Sequence, residues 1–235
     1  MENKDTRTFE INPKIEMKKV QFKNRYGIVL AGDLYLPEGY AGKKNPAVIV
    51  SGPFGAVKEQ ASGLYAQELA ARGFVSMAFD PSFGGESGGE VRNMASPEIF
   101  TEDYSAAVDC VGLLPYVDRE RIGAIGICGL SGMAITAAGT DTRIKAVAAL
   151  SMYDMSRDMS RGHMDYYTDE QRNKIKRYLG EQRWKDAETG TFALGSHEIA
   201  FDENNEPVTG MMEVPEKLPE DADPAFAAFY HYYAE

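Results

Sequence analysis

The hydrophobic and polar positions change period along the chain, and each change marks an element. Ile15 to Phe22 and Ile28 to Leu36 alternate loosely, as half-buried strands do, and are joined across the turn-rich Asn24-Arg25-Tyr26-Gly27. This predicts a hairpin of antiparallel edge strands. The next apolar run, Ala47-Val48-Ile49-Val50, does not alternate and is rich in β-branched residues, as in a parallel strand covered on both faces. From Lys58 to Arg72 the apolar residues Ala61, Leu64, Tyr65 and Leu69 recur at i, i+3, i+4 and i+8, which predicts a helix burying that stripe and stopped by Gly73. Phe74 to Phe79 reads as the following strand.

The same beat continues. Ser96 can cap a helix whose first position is Pro97 and whose stripe is Phe100, Tyr104, Ala107, Val108 and Val111, with Cys110 beside it. Arg121 to Ile127 reads as a strand, Ser131 to Gly139 as a short helix of small residues, and Ile144 to Leu150 as another strand. Strand and helix in regular alternation predict an α/β fold: a mostly parallel, doubly wound sheet. Past Ser151 the chain turns polar, and Thr168-x-x-Gln171 is a capping box opening a charged helix towards Asp186. Residues 195 to 224, acidic and with four prolines, read as a surface connector. Asp223-Pro224 then opens a helix with the stripe Phe226, Phe229, Tyr230 and Tyr233. The expected organisation is a core sheet over 1–151 and a helical cap with its connector over 152–235.

Composition narrows the function. At 235 residues and 43% hydrophobic, the chain can build one substantial core. Lys+Arg 25 against Asp+Glu 36 leaves a net charge of −11, which repels nucleic acid and anionic membranes. Apolar runs such as Ala146 to Leu150 fall far short of the roughly 20 residues of a membrane helix. The polar start Met1-Glu2-Asn3-Lys4-Asp5 carries no export signal, and Cys110 and Cys128 form no C-x-x-C pair. A cytoplasmic protein with two free thiols is expected.

The segment richest in chemistry is Gly126-Ile127-Cys128-Gly129-Leu130-Ser131-Gly132, a predicted junction of strand, sharp glycine turn and helix. Doubly wound sheets bind ligands at this carboxyl edge. A nucleophile on such a turn has small neighbours, and the N–H that follows it points at a developing oxyanion. On these residues alone two readings of Cys128 stand side by side: nucleophile, or small core hydrophobe. The loop Gly84-Gly85-Glu86-Ser87-Gly88-Gly89 lacks the Gly-Lys-Ser/Thr of a phosphate-binding loop and reads as a flexible loop at the same edge. Glu59 and Glu86 are candidate pocket residues from the loops there. Asp154, Asp158, His163 and Asp165 lack a diagnostic ligand spacing, so no metal is expected, and no other cofactor.

Gly52-Pro53-Phe54-Gly55-Ala56-Val57-Lys58-Glu59-Gln60, Phe79-Asp80-Pro81-Ser82-Phe83-Gly84-Gly85-Glu86-Ser87-Gly88 and Gly126-Ile127-Cys128-Gly129 together resemble the dienelactone-hydrolase-like branch of the α/β-hydrolase superfamily. Met152-Tyr153-Asp154-Met155 and Gln182-Arg183-Trp184-Lys185-Asp186-Ala187 extend the resemblance. It implies that Cys128 is the nucleophile, that the Gly129 N–H is one oxyanion donor, and that the second comes from the loop after the third strand, at Phe54. Leu130 departs from the small residue usual at its position. Ser131, inside the predicted helix start, is the weaker nucleophile candidate. The resemblance also implies two further strands carrying an acid and a histidine after the aromatic helix, so the chain is expected to lack the last strands of the fold. His163, His197 and His231 read as surface or packing residues in the cap, its connector and the last helix.

Two functions from different classes follow. One is a hydrolase acting on a small ester, lactone or thioester through a cysteine nucleophile. The other is a noncatalytic binding protein that keeps the pocket of a truncated hydrolase fold. A dinucleotide-binding domain is disfavoured, because Gly126, Gly129 and Gly132 do not make G-x-G-x-x-G. An unassisted thiol is mostly protonated at neutral pH, so turnover of an unactivated ester normally needs a paired imidazole. Ester hydrolysis by this chain alone is expected near background. The expected partners are a small-molecule substrate and a second copy of the chain covering the open C-terminal side.

Overall fold

The computed structural model describes residues 7–152, 154–193, 199–209, 217–219 and 222. His197, His231 and the stripe Phe226, Phe229, Tyr230 and Tyr233 lie outside them. The chain divides into two compact units, Met1–Tyr153 with Lys217–Glu235, and Asp154–Glu216.

The first unit is a six-stranded sheet wrapped by helices. Its elements in order are β1 (Glu16–Lys23), β2 (Val29–Leu36), β3 (Asn45–Ser51), α1 (Ala61–Ala71), β4 (Val75–Phe79), α2 (Pro97–Gly112), β5 (Val117–Ile127), α3 (Leu130–Thr140) and β6 (Ile144–Leu150). The strands lie in the order β1-β2-β4-β3-β5-β6. β1 pairs antiparallel with β2, and β2 with β4, while β4, β3, β5 and β6 are mutually parallel. The predicted edge hairpin and parallel core are both present, and the α/β class stands.

Alternation along the central strands feeds two cores, one on each face of the sheet. Leu34, Ile49, Met77 and Phe79 pack with α2 and α3 through Tyr104, Val108, Met133 and Ala134. Their neighbours Tyr35, Val50 and Ala78 pack on the other face with Ala66 and Ala70 of α1. α2 starts as predicted, with the Ser96 side chain accepting from the Ile99 N–H and Pro97 at the first position.

The predicted stripe of α1 is half right: Ala61 and Leu69 pack, partly buried, against the core. Leu64 and Tyr65 are each 41% exposed, and the buried face is Ser62, Gly63, Ala66, Gln67 and Ala70. The cause is tertiary: the Gln67 side chain accepts from the Asn12 N–H at 2.9 Å and donates to the Glu10 carbonyl at 2.9 Å, so a polar helix face docks the N-terminal segment.

The second unit holds α4 (Met155–Arg161), a single 3-10 turn over His163–Asp165, α5 (Asp169–Thr189), and the hairpin β7 (Ile199–Phe201) with β8 (Pro207–Thr209). The Thr168–Gln171 capping box is formed in full. The hairpin falls within the stretch expected to be a surface connector. Asp202 makes its turn by accepting from the Asn204 and Glu206 N–H groups at 2.9 and 2.8 Å. Among the described residues no helix is long and apolar enough to cross a membrane.

Candidate active site

The strand order locates the site. From β3 the chain crosses through α1 to β4 on one side, whereas β5 leads through α3 to β6 on the other. Adjacent strands whose connections leave in opposite directions open a crevice at their carboxyl ends. For β3 and β5 those ends are Ser51 and Ile127, with Ser51 paired to Gly126. The residues that follow, Gly52 to Lys58 and Cys128 to Ser131, therefore meet at this crevice.

Cys128 occupies the sharp turn between β5 and α3 with φ +56, in the left-handed region that non-glycine residues rarely adopt. The turn is held on both sides. The Cys128 N–H donates to the Leu150 carbonyl at 2.8 Å, and its carbonyl accepts from the Ser131 N–H at 3.1 Å. The thiol residue is half-buried, Gly129 is buried, and α3 begins at Leu130 with no side-chain cap on its first N–H groups. Ser131 is fully buried, and its hydroxyl donates to the Gly126 carbonyl at 2.8 Å. It ties the turn together and is shut off from solvent.

The β3 loop lies directly on this turn. A Cβ on Gly52 would fall 2.4 Å from the Ile127 carbonyl oxygen and 3.0 Å from the Leu130 Cβ, so only glycine lets the two loops touch. Beyond it, Pro53 to Ala56 form a turn closed by the Ala56 N–H donating to the Pro53 carbonyl at 3.1 Å. Phe54 stands in that turn, half-buried, its ring 6.5 Å from that of Phe100.

Glu59 and Glu86, singled out from the sequence, come together around a residue that hydropathy does not flag. Lys58 is 1% exposed, and its ammonium reaches Glu59 Oε1 at 2.6 Å, Glu86 Oε2 at 2.6 Å and Asp80 Oδ2 at 3.2 Å. Burial works against the charge of Lys58, but Asp80 and Glu59 outweigh it and raise its pKa above the ordinary lysine value. Burial pushes the fully buried Asp80 up to about 6 against the pull of Lys58. Burial also opposes ionisation of Glu86, yet hydrogen bonds from Lys58 and Lys19 hold it below the usual carboxylate range. The available sequence signal was the charged pair Lys58-Glu59 in the loop after β3 together with Asp80, which follows β4 directly.

The loop expected to be flexible is pinned. The Ser87 hydroxyl donates to the Asp80 carbonyl at 2.7 Å and accepts from the Ala31 N–H at 2.9 Å, and the Gly88 N–H donates to the Val29 carbonyl at 2.7 Å. Asp103 secures the same region, accepting from the Ser82 N–H at 2.7 Å and from Asn24 Nδ2 at 2.8 Å.

In the second unit, Asp154 caps α4, Arg157 pairs with Asp165, and His163 Nδ1 lies 3.6 Å from Asp158 Oδ1 on an exposed ring. Among the described residues no group of three or more His, Cys, Asp or Glu side chains is placed to hold a metal ion.

Residues 26–194 match the X-Pro dipeptidyl-peptidase (S15 family). The chain belongs to that family. The chain is 61% identical over 185 residues to the uncharacterized protein PA2218 of Pseudomonas aeruginosa, covering 79% of this chain and 50% of that protein. It is 46% identical over 136 residues to the uncharacterized protein YcjY of Escherichia coli, covering 57% and 44%. It is 34% identical over 132 residues to the thiohydrolase aneE of Aspergillus aculeatus, covering 56% and 40%. The chain thus spans about half the length, or less, of these relatives. The crystal structure of PA2218 matches with a TM-score of 0.78 at 59% identity, covering 81% of this chain and 60% of that one. The α/β hydrolase GrgF from Penicillium sp. sh18 matches with a TM-score of 0.66 at 23% identity, covering 83% and 62%, a likeness of fold. The S15-family chain has the α/β-hydrolase fold that its motifs resemble.

Proposed function

We propose that this S15-family chain carries the acyl-transfer site of a hydrolase for a small ester or thioester, with Cys128 as nucleophile. The observation that carries the reading is the left-handed Cys128 at the turn from β5 into α3, with the β3 loop packed on it through Gly52. A nucleophile must stand clear of its own strand and face backbone N–H groups, and a sharp left-handed turn between strand and helix is the kind of place where both can be met. The family's description names a peptidase and one relative is a thiohydrolase. Both chemistries begin with attack on a carbonyl carbon, which is the step these residues suit.

In that step the Cys128 Sγ forms a bond to the acyl carbon and the carbonyl oxygen takes up negative charge. The Gly129 N–H and the Phe54 N–H are the donors that hold the oxyanion. Collapse expels the alcohol or thiol as leaving group, the thiol's proton passes to solvent or to the leaving group, and water later hydrolyses the acyl-thioester.

The test is acylation of the chain by p-nitrophenyl acetate and by a short acyl-thioester, followed by peptide mapping. An acyl group on Cys128 that is absent in Cys128→Ala supports the reading. Folded protein that takes up no acyl group on Cys128 would leave the noncatalytic binding protein as the better description.

A further inference from the structure

We propose that Lys58 is the positioning residue for the oxyanion-binding loop, a role that rests on the reading of Phe54 as an oxyanion donor. Residues 52 to 58 link β3 to the start of α1 and are held at two points. At one end Gly52 abuts the Ile127 carbonyl and Leu130 of the nucleophile turn. At the other, the Lys58 N–H donates to Asp80 Oδ1 at 2.7 Å while its ammonium reaches Asp80 Oδ2 at 3.2 Å, so one residue grips both oxygens of a carboxylate at the end of the neighbouring strand. Phe54 lies between the two anchors.

The second anchor is also a link between loops. Glu86 receives the Lys58 ammonium at 2.6 Å and donates its own N–H to Asp80 Oδ2 at 2.9 Å, so the β3 loop, the end of β4 and the loop after it close into one ring. Glu59 adds a third carboxylate at 2.6 Å. Three carboxylates around one buried ammonium are tolerable only while the ammonium is there. Without it they repel one another in a site of low polarisability, and the loops they belong to separate. A loop that moves by about an ångström misplaces an oxyanion donor enough to slow acyl transfer on the order of 100-fold.

A purely structural role for Lys58 makes a different prediction, and two reactions of the same thiol tell them apart. Acylation by p-nitrophenyl acetate forms the S–C bond, expels p-nitrophenolate and builds an oxyanion on the way. Alkylation by iodoacetamide forms an S–C bond and expels iodide with no oxyanion. Both scale with thiolate content and access, so their ratio reports the oxyanion site. Lys58→Met should lower the acylation-to-alkylation ratio at Cys128 by about 10-fold or more, against the 100- to 1,000-fold typical of removing a donor outright. Glu86→Gln, at a half-exposed position, should lower it by about 3-fold and decides the matter if Lys58→Met does not fold. Equal falls in both rates, or an unchanged ratio in the folded variants, overturns the proposal. Acylation of the parent chain that survives Cys128→Ala instead overturns the nucleophile reading, before any Lys58 variant is compared.

Discussion

Gly126 and Ser131 close the Cys128 turn from opposite sides. A Cβ built on Gly126 would lie 2.6 Å from the Ser131 Cα, and the Ser131 hydroxyl donates to the Gly126 carbonyl at 2.8 Å. The strand and the helix therefore touch backbone to backbone, which holds the backbone of the turn that carries Cys128. Gly126→Ala should force α3 off β5, with a loss of about 1–3 kcal/mol in unfolding free energy by urea titration. Acylation of Cys128 should fall with it. A variant as stable as the parent would mean that the turn relaxes without cost.

Ser131→Ala separates support from chemistry. The hydroxyl donates to the carbonyls of Gly126 and, at 3.2 Å, of Leu150, bridging β5 to β6 from a fully buried position. Its loss leaves those carbonyls without one partner and should cost about 1–2 kcal/mol of stability. Acyl transfer to Cys128 should persist at a comparable rate in mass-spectrometric time courses. Loss of all acylation in a folded Ser131→Ala protein would shift the nucleophile to Ser131.

The sheet was legible because its strands are defined by hydrophobic runs. Ala47 to Val50 reads as a covered parallel strand and pairs in parallel on both sides. The face of α1 was legible only at Ala61 and Leu69, since Gln67 turns inward to hold Glu10 and Asn12, contacts more than fifty residues away in sequence. The turn at Cys128 was visible in its glycines, whose spacing reflects close backbone approach. The Lys58 cluster was only half visible: Glu59 and Glu86 stand out as acids near a loop, but the lysine that gathers them belongs by composition on the surface. Hydropathy cannot place a charge whose burial is offset by partners 22 and 28 positions further along the chain.

The two thiols should react at different rates. Cys110 sits half-buried on α2, where burial, helped by the Asp109 carboxylate, pushes its thiol up to about 11. At pH 8 such a group is thiolate in about one molecule per thousand. Cys128, also half-buried, stands in the turn after β5, beside the carboxyl end of β3. Iodoacetamide at pH 8 should label Cys128 at least about ten-fold faster than Cys110, as read by peptide mapping of the folded chain. Equal rates, or protection of Cys128 alone, would remove it as nucleophile.

Asp33 links the buried charges to pH. It lies on β2 at 1% exposure, and its Oδ1 has no hydrogen-bond partner among the described residues. Burial raises its pKa to about 6; Lys58 and Lys19 pull the other way, while Glu59 and Glu86 add to the rise. The unfolded chain titrates near 3.9, so the folded state holds the proton more tightly. The corresponding stability is fully present below about pH 3.9 and is lost as pH rises through 6. Asp33→Asn keeps the neutral form at every pH. It should match the parent near pH 4 and exceed it above pH 7 by about 1–3 kcal/mol in urea titrations. Taking the difference between the two proteins cancels Asp80 and Asp103, whose carboxyls are also raised to about 6. A difference that does not change between pH 4 and pH 7, or an Asp33→Asn protein less stable than the parent at pH 7, would show that Asp33 is ionised and supported in the fold.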